Sequence, residues 1–194
     1  EGLGKLRGTQ AFAIRRFDHG PEGAVHIEDF AQVFGIYPDD KYENGTYRRI
    51  AKVIGIEAGD ADVAEFFRRL VFNVLIGNAD MHLKNWSLIY PDGRTPHIAP
   101  AYDFVSTIAY IEDENAALKF TRTKRFREFN REELSRLADK AGLPVNPALQ
   151  VAKETVQRFQ DVWAQEQPHL PIGGALRAVI DAHLAQLPIV RELS

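Results

Sequence analysis

FNVLIGNADMHLKNWSLIYPDGRTPHIAPAYDFVST, residues 72–107, is the stretch on which the reading of this chain turns. An apolar run ends at Gly77 and delivers a short polar loop that holds Asn78, Asp80, His82, Lys84 and Asn85. Trp86–Tyr90 and His97–Ala99 then read as two short strands joined by the turn signal Pro91-Asp92-Gly93. Pro96 and Pro100 keep that region from continuing as helix. A compact hairpin therefore carries the chain back to Asp103, with Phe104 directly after it, and brings two carboxylates and an amide toward one place.

The residue types and spacing suit phosphoryl transfer. That chemistry needs a carboxylate to orient the attacking hydroxyl and oxygen ligands to hold magnesium on nucleotide phosphates. An Asp followed five residues later by Asn, here Asp80 and Asn85, is the spacing of a kinase catalytic loop, and a later Asp beside a Phe would complete the metal site. Magnesium takes few carboxylates together with waters and phosphate oxygens, so Asn85 and Asp103 suffice as protein ligands. A glycine followed by Asn and Asp also makes an ordinary helix end with an Asx turn. Lys84 stands where it can balance charge on a transferred phosphoryl, or simply in solvent. His82 reads either as part of the chemistry or as a scaffold that hydrogen-bonds the loop.

Working outward, Val63, Phe66, Phe67, Leu70, Val71, Val74 and Leu75 recur at helical spacing and predict a helix capped by Asp60 and ended by Gly77. Before it, Thr46 caps a predicted helix over Tyr47–Val53, broken by Gly55–Gly59, and His26–Phe34 reads as a short amphipathic helix stopped by Gly35. Ile36–Gly45 is loop and Asp18–Gly23 a turn. Thr9–Phe17 alternates as a half-buried strand. After the hairpin, Asn130 with Glu133 signals a capping box for a helix ending near Gly142. Asn146 and Pro147 start a longer helix toward Gln167, and Gly173-Gly174 introduces the last, toward Leu187. The expected fold is mainly α, a helical lobe with a small β-hairpin at the catalytic loop.

Composition closes off other classes. The chain has 194 residues, 45% of them hydrophobic, with a formal charge of −3 and no cysteine. It is long enough for a substantial core. Disulfide, zinc–thiolate and thiol-nucleophile chemistry are excluded. No apolar run reaches the roughly 18 residues of a spanning helix, and the N-terminus lacks a signal-peptide layout, so the expectation is a cytoplasmic protein with no membrane contact. GLGKLRG at the start matches neither G-x-G-x-x-G nor a Walker A sequence. HExxH, GxSxG and the clustered carboxylates of a two-metal hydrolase are also missing.

Asn78-x-Asp80-x-His82-x-Lys84-Asn85 followed by Ala99-Pro100-Ala101-Tyr102-Asp103 resembles the catalytic core of the HipA-type serine/threonine kinases, the toxins of bacterial toxin–antitoxin pairs. Glu28-Asp29-Phe30-x-Gln32 and Lys41-Tyr42-Glu43 resemble the segment those kinases carry between the interlobe hinge and the catalytic helix, and Arg16-Phe17-Asp18 the end of the hinge strand. The resemblance implies a C-terminal catalytic lobe over residues 1–194, with residues 1–18 a remnant of the hinge and N-terminal lobe. It implies ATP and Mg2+ as cofactors, with Asp80 orienting or deprotonating the hydroxyl of a protein substrate and Asn85 and Asp103 as magnesium ligands. A DNA-binding antitoxin is the implied partner. The glycine-rich nucleotide loop and phosphate-binding lysine of such kinases are not visible, which suggests a fragment of a longer kinase or a truncated relative.

Lys119, Arg122, Lys124, Arg125, Arg127 and Arg131 cluster against the single acid Glu128, with Phe120, Phe126 and Phe129 interleaved. Such a stretch suits contact with DNA or an acidic partner, or forms a solvated edge with its aromatics turned inward. The alternative to a kinase is therefore a non-catalytic, kinase-like module that binds an antitoxin or DNA.

Overall fold

Helix α3, Asp60–Leu75, is the axis around which the molecule is packed. The computed structural model describes residues 14–21, 23–111 and 114–194. Phe66, Phe67, Leu70, Val71, Val74 and Leu75 are all buried, as their spacing requires, because one broad apolar stripe must be covered. Helix α2, Tyr47–Glu57, covers one side, and α5, Val145–Glu166, the other. Helix α4, Arg131–Ala141, bridges α2 and α5. Gly142 ends α4 at φ 77°, a left-handed conformation that glycine adopts at little cost. Helices α6, Gly174–Gln186, and α7, Pro188–Leu193, finish the chain, and Ile189, Val190 and Leu193 of α7 are buried. Full burial of each such side chain contributes roughly 1.5–3 kcal/mol.

Strand content among the described residues is small. β1, His19–Gly20, and β2, Gly23–Ala24, form a minimal hairpin inside the expected turn. β3, His26–Asp29, pairs antiparallel with β4, Ser87–Tyr90, which pairs in turn with β5, His97–Ile98. The expected hairpin over 86–99 is thus present, and a third strand lies beside it. Asp62 near the start of α3 joins helix to sheet, accepting the Ile98 N–H at 2.8 Å.

Several boundaries differ from expectation. His26–Phe34 is not one helix: its first four residues are β3, and only Phe30–Val33 form a helix, α1, capped by Asp29 and Gln32 in a reciprocal box. Pairing with β4 overrides the local helical pattern. Helix α2 runs through Gly55, where the missing side chain makes room for Leu143: a Cβ there would lie 2.5 Å from its Cδ2. Gly59, not Asp60, caps α3. Asn130 accepts the Glu133 N–H at 2.8 Å, but Glu133 turns its carboxylate to Thr121 and Arg122, so the capping box is half formed. Helix α5 starts at Val145, before Asn146, and α7 lies beyond the last expected helix. The strand expected over Thr9–Phe17 begins outside the described residues, and Ile14–Phe17 is not strand.

Candidate active site

The site begins where α3 stops. Gly77 turns left-handed at φ 63°, and a Cβ there would lie 2.6 Å from Ile108 Cδ1, so both backbone and space favour glycine. The Gly77 N–H bonds to the Val74 carbonyl at 3.1 Å and the Asn78 N–H to the Asn73 carbonyl at 2.9 Å, a Schellman closure of the helix. Asn78 is 1% exposed and organises the loop that it opens. Its Nδ2 donates to Asn73 Oδ1 at 2.9 Å and to the Asp103 carbonyl at 3.3 Å, while its Oδ1 accepts the Asp80 N–H at 3.0 Å. One buried amide therefore fixes the positions of both aspartates.

The rest of the loop closes on itself. The Asp80 carbonyl accepts the His82 N–H at 2.8 Å and Asn85 Nδ2 at 2.9 Å. Asn85 thus commits its side-chain nitrogen to the loop. Leu83 is buried over Gly45, where a Cβ would lie 2.6 Å from Leu83 Cδ2, and the Tyr47 hydroxyl donates to the Met81 carbonyl at 3.0 Å. Tyr102 ties the returning segment to this loop through its hydroxyl, which donates to the Lys84 carbonyl at 2.7 Å and contacts Ser87 Oγ at 2.5 Å. Burial, above all, pushes the Tyr102 hydroxyl up to about 12, so it stays a donor. Lys84 is held by its backbone while its side chain is exposed.

The side chains of the two aspartates remain reachable. Asp80 is 41% exposed and receives the Tyr42 hydroxyl on Oδ1. Tyr42 is raised to about 12, first by burial, then by its bond to Asp80, then by the charges of Asp80 and Asp103. His82 feels the same two carboxylates, so Asp80 and Asp103 face common neighbours. Asp103 is exposed at φ 58°, and its neighbour Phe104 packs on Phe72 with ring centroids 5.6 Å apart.

His82 is almost fully buried. Its Nε2 lies 4.0 Å from Asp80 Oδ1, too far for a hydrogen bond, and its Nδ1 is buried with no partner. Its pKa is lowered, first by burial and then by Lys41, against the opposing pull of Asp80 and Asp103. Edge-on against Tyr42, with ring centroids 5.0 Å apart, it stands as a neutral spacer beneath the carboxylates.

Oxygen donors from one carboxylate and one amide suit a hard cation that brings phosphate oxygens with it. Among the described residues no three His, Cys, Asp or Glu side chains gather to hold a metal unaided.

Sequence reasoning overlooked the residues that hold this arrangement. Tyr42 and Asn78 figured only as letters in a pattern, and Asn73, Tyr102 and Thr107 carried no role. Thr107 Oγ1 accepts the Ala79 N–H at 2.7 Å and donates to the Gly77 carbonyl at 3.2 Å. The basic stretch turns its aromatics inward, as one of its two readings expected, and gains partners from elsewhere. Phe120, Phe126 and Phe129 are buried, and acids from outside the stretch meet its cations: Arg122 pairs with Glu132 and Glu133, and Arg127 with Glu114. No helix among the described residues is long and apolar enough to cross a membrane.

A family model described as the HipA-like C-terminal domain matches residues 2–163. The chain is 56% identical over 195 residues to a Sinorhizobium fredii protein named "Putative kinase Y4dM", covering 100% of this chain and 47% of that one. It is 30% identical over 194 residues to a "Putative kinase" of Haemophilus influenzae, covering 82% of this chain and 56% of that one. The chain thus spans about half the length of these curated relatives. Among solved structures, the HipA–HipB–operator DNA complex of Shewanella oneidensis matches with a TM-score of 0.73 at 22% identity, over 92% of this chain and 49% of that one. A closed α3 terminus, a loop with Asp80 and Asn85 and a returning Asp103 are therefore found in a chain that belongs to the HipA-like C-terminal domain family.

Proposed function

We propose that this chain is the catalytic lobe of a serine/threonine protein kinase that transfers the ATP γ-phosphate to a protein hydroxyl. The observation that carries the reading is the Tyr42 hydroxyl donating to the Asp80 carboxylate, because a carboxylate that holds one hydroxyl by its proton can hold an incoming one the same way. Asp80 would orient the acceptor hydroxyl and take its proton. Asn85 and Asp103 would hold Mg2+, whose charge neutralises the phosphate oxygens. Lys84, exposed beside them, would offset negative charge developing on the transferred group. His82 would support the floor of the site. The remaining half of a protein as long as the relatives would supply the backbone cradle and lysine for the phosphates. The fold neighbour was solved with HipB and its operator DNA, which supports a DNA-binding antitoxin as partner.

Positioning is a large share of such catalysis, of order 7–11 kcal/mol, so the 194-residue chain alone should be nearly inactive. The test is transfer of radiolabelled phosphate from ATP by this chain, by the longer protein and by the longer protein with Asp80→Asn. Phosphoserine or phosphothreonine is expected from the second alone. Equal behaviour of the longer protein and its Asp80→Asn form would replace the kinase with a non-catalytic, antitoxin-binding or DNA-binding module.

A further inference from the structure

Beside Asp80 lies a cavity of about 550 Å³ whose walls include Tyr42, Ala79, Arg122, Lys124 and Arg125, and among the described residues no acid lines it. Tyr42 is shared between this cavity and the catalytic loop, since its hydroxyl reaches Asp80, and Ala79 is that residue's chain neighbour. The basic wall is built rather than incidental. The Ala116 N–H donates to the Lys124 carbonyl at 2.7 Å and the Phe126 N–H to the Glu114 carbonyl at 3.0 Å, folding the segment back on itself. Glu133, 1% exposed on α4, accepts the N–H groups of Thr121 and Arg122, both at 2.9 Å, and the Thr121 hydroxyl at 2.5 Å, anchoring the turn that presents the cations.

Arg122 and Arg125 are paired with Glu132, Glu133 and Glu128, none of which lines the cavity. Lys124 differs: half-buried, it donates to the Ala117 carbonyl at 2.9 Å, and among the described residues no ion pair neutralises it. A partly buried ammonium with only a carbonyl for company gains from an anion. The phenylalanines of the stretch lie in the core, so none of them offers a stacking platform for nucleobases beside the charge. We propose that this cavity is a docking subsite for an anionic side chain of the acceptor protein, a carboxylate or a phosphate flanking the hydroxyl presented to Asp80. The subsite rests on the kinase reading and deepens it: the substrate class becomes a serine or threonine beside an acidic or phosphorylated residue.

The test is fluorescence anisotropy of the 194-residue chain with three fluorescein-labelled peptides carrying one serine, flanked by alanine, by glutamate or by phosphoserine. The glutamate and phosphoserine peptides are expected to bind about tenfold more tightly than the alanine peptide, an advantage that shrinks with salt, and their relative affinities separate the two anion sources. Lys124→Gln and Arg125→Glu should each remove the advantage, and Arg125, with a side chain 69% exposed, can be changed without burdening the fold. Equal binding of all three peptides overturns the subsite. So does an advantage retained in both variants, or tighter binding of a single-stranded oligonucleotide than of either acidic peptide. Phosphotransfer by the longer protein without any acidic preference overturns the subsite alone. Acidic preference without phosphotransfer overturns the kinase reading alone.

Discussion

The loop over residues 77–85 and the segment over residues 103–107 meet at the same site but are held by different means. The first answers several of its own backbone groups, with Tyr47 and Tyr102 holding two more: Asn78 closes α3, Asp80 takes the His82 N–H, and Asn85 grips the Asp80 carbonyl. The second has no regular structure, carries Asp103 at φ 58°, and is fixed from outside through Asn78 Nδ2 and the two hydrogen bonds of Thr107. One aspartate is thus built into a rigid turn, and the other is hung on that turn. On the proposed roles, the turn-held aspartate would meet the acceptor hydroxyl and the hung one the metal and phosphate.

The sharpest way to break this hierarchy is Asn78→Ala. It orphans the Asp80 N–H and frees the Asp103 carbonyl, and should cost about 3 kcal/mol in urea unfolding. Amide hydrogen exchange should quicken more across residues 103–107 than across 80–85; equal acceleration would mean that the two segments stand or fall together. A smaller effect separates backbone from side chain at Asp103. Asparagine tolerates the left-handed region, so Asp103→Asn should change stability by less than about 0.5 kcal/mol, whereas Asp103→Ala should cost about 1 kcal/mol. In the longer protein both should lose magnesium–ATP affinity, measured by calorimetry, if Asp103 is a ligand.

The smallest effect is a pH dependence centred on His82 in the first loop and His183 on α6. Both pKa values are lowered from 6.5, chiefly by burial, the second opposed by a 2.7 Å bond from His183 Nε2 to the Val74 carbonyl. The unfolded chain therefore takes up protons that the native state refuses. Stability should be full above pH 6.5 and fall as pH drops through the lowered values. Urea midpoints at successive pH values check this, and His82→Gln should flatten part of the slope.

Legibility in the sequence tracks the range of the forces. Helix α3 was written in Phe66, Phe67, Leu70, Val71, Val74 and Leu75, because burying a stripe imposes a period on neighbouring residues. The β4–β5 hairpin was written in Pro91-Asp92-Gly93. β3 was not, since its partner lies across three helices and His26–Phe34 carries a local pattern that pairing overrides. Among site residues, Asp80, Asn85 and Asp103 were named by spacing and resemblance. Tyr42 and Thr107 were not, because their hydrogen bonds span 38 and 28 residues and leave no periodic trace. The acids that meet the basic stretch were illegible for the same reason: Glu132 and Glu133 lie beyond its last arginine in sequence but beside Arg122 in space.

The strand order β3-β4-β5 has a consequence for how the chain finds its shape. β4 and β5 are joined by a short turn and can zip early, since closing a small loop costs little entropy. β3 must wait until α1, α2, α3 and the loop over residues 77–85 have been synthesised before Ile27 can meet Ile89. On a ribosome, the first strand of this sheet therefore emerges without a partner, and its docking closes the largest loop in the sheet. A slow step is expected there, with the hairpin as template and Asp29–Ser87, where sheet and α1 join, as the rung that closes the shortest loop.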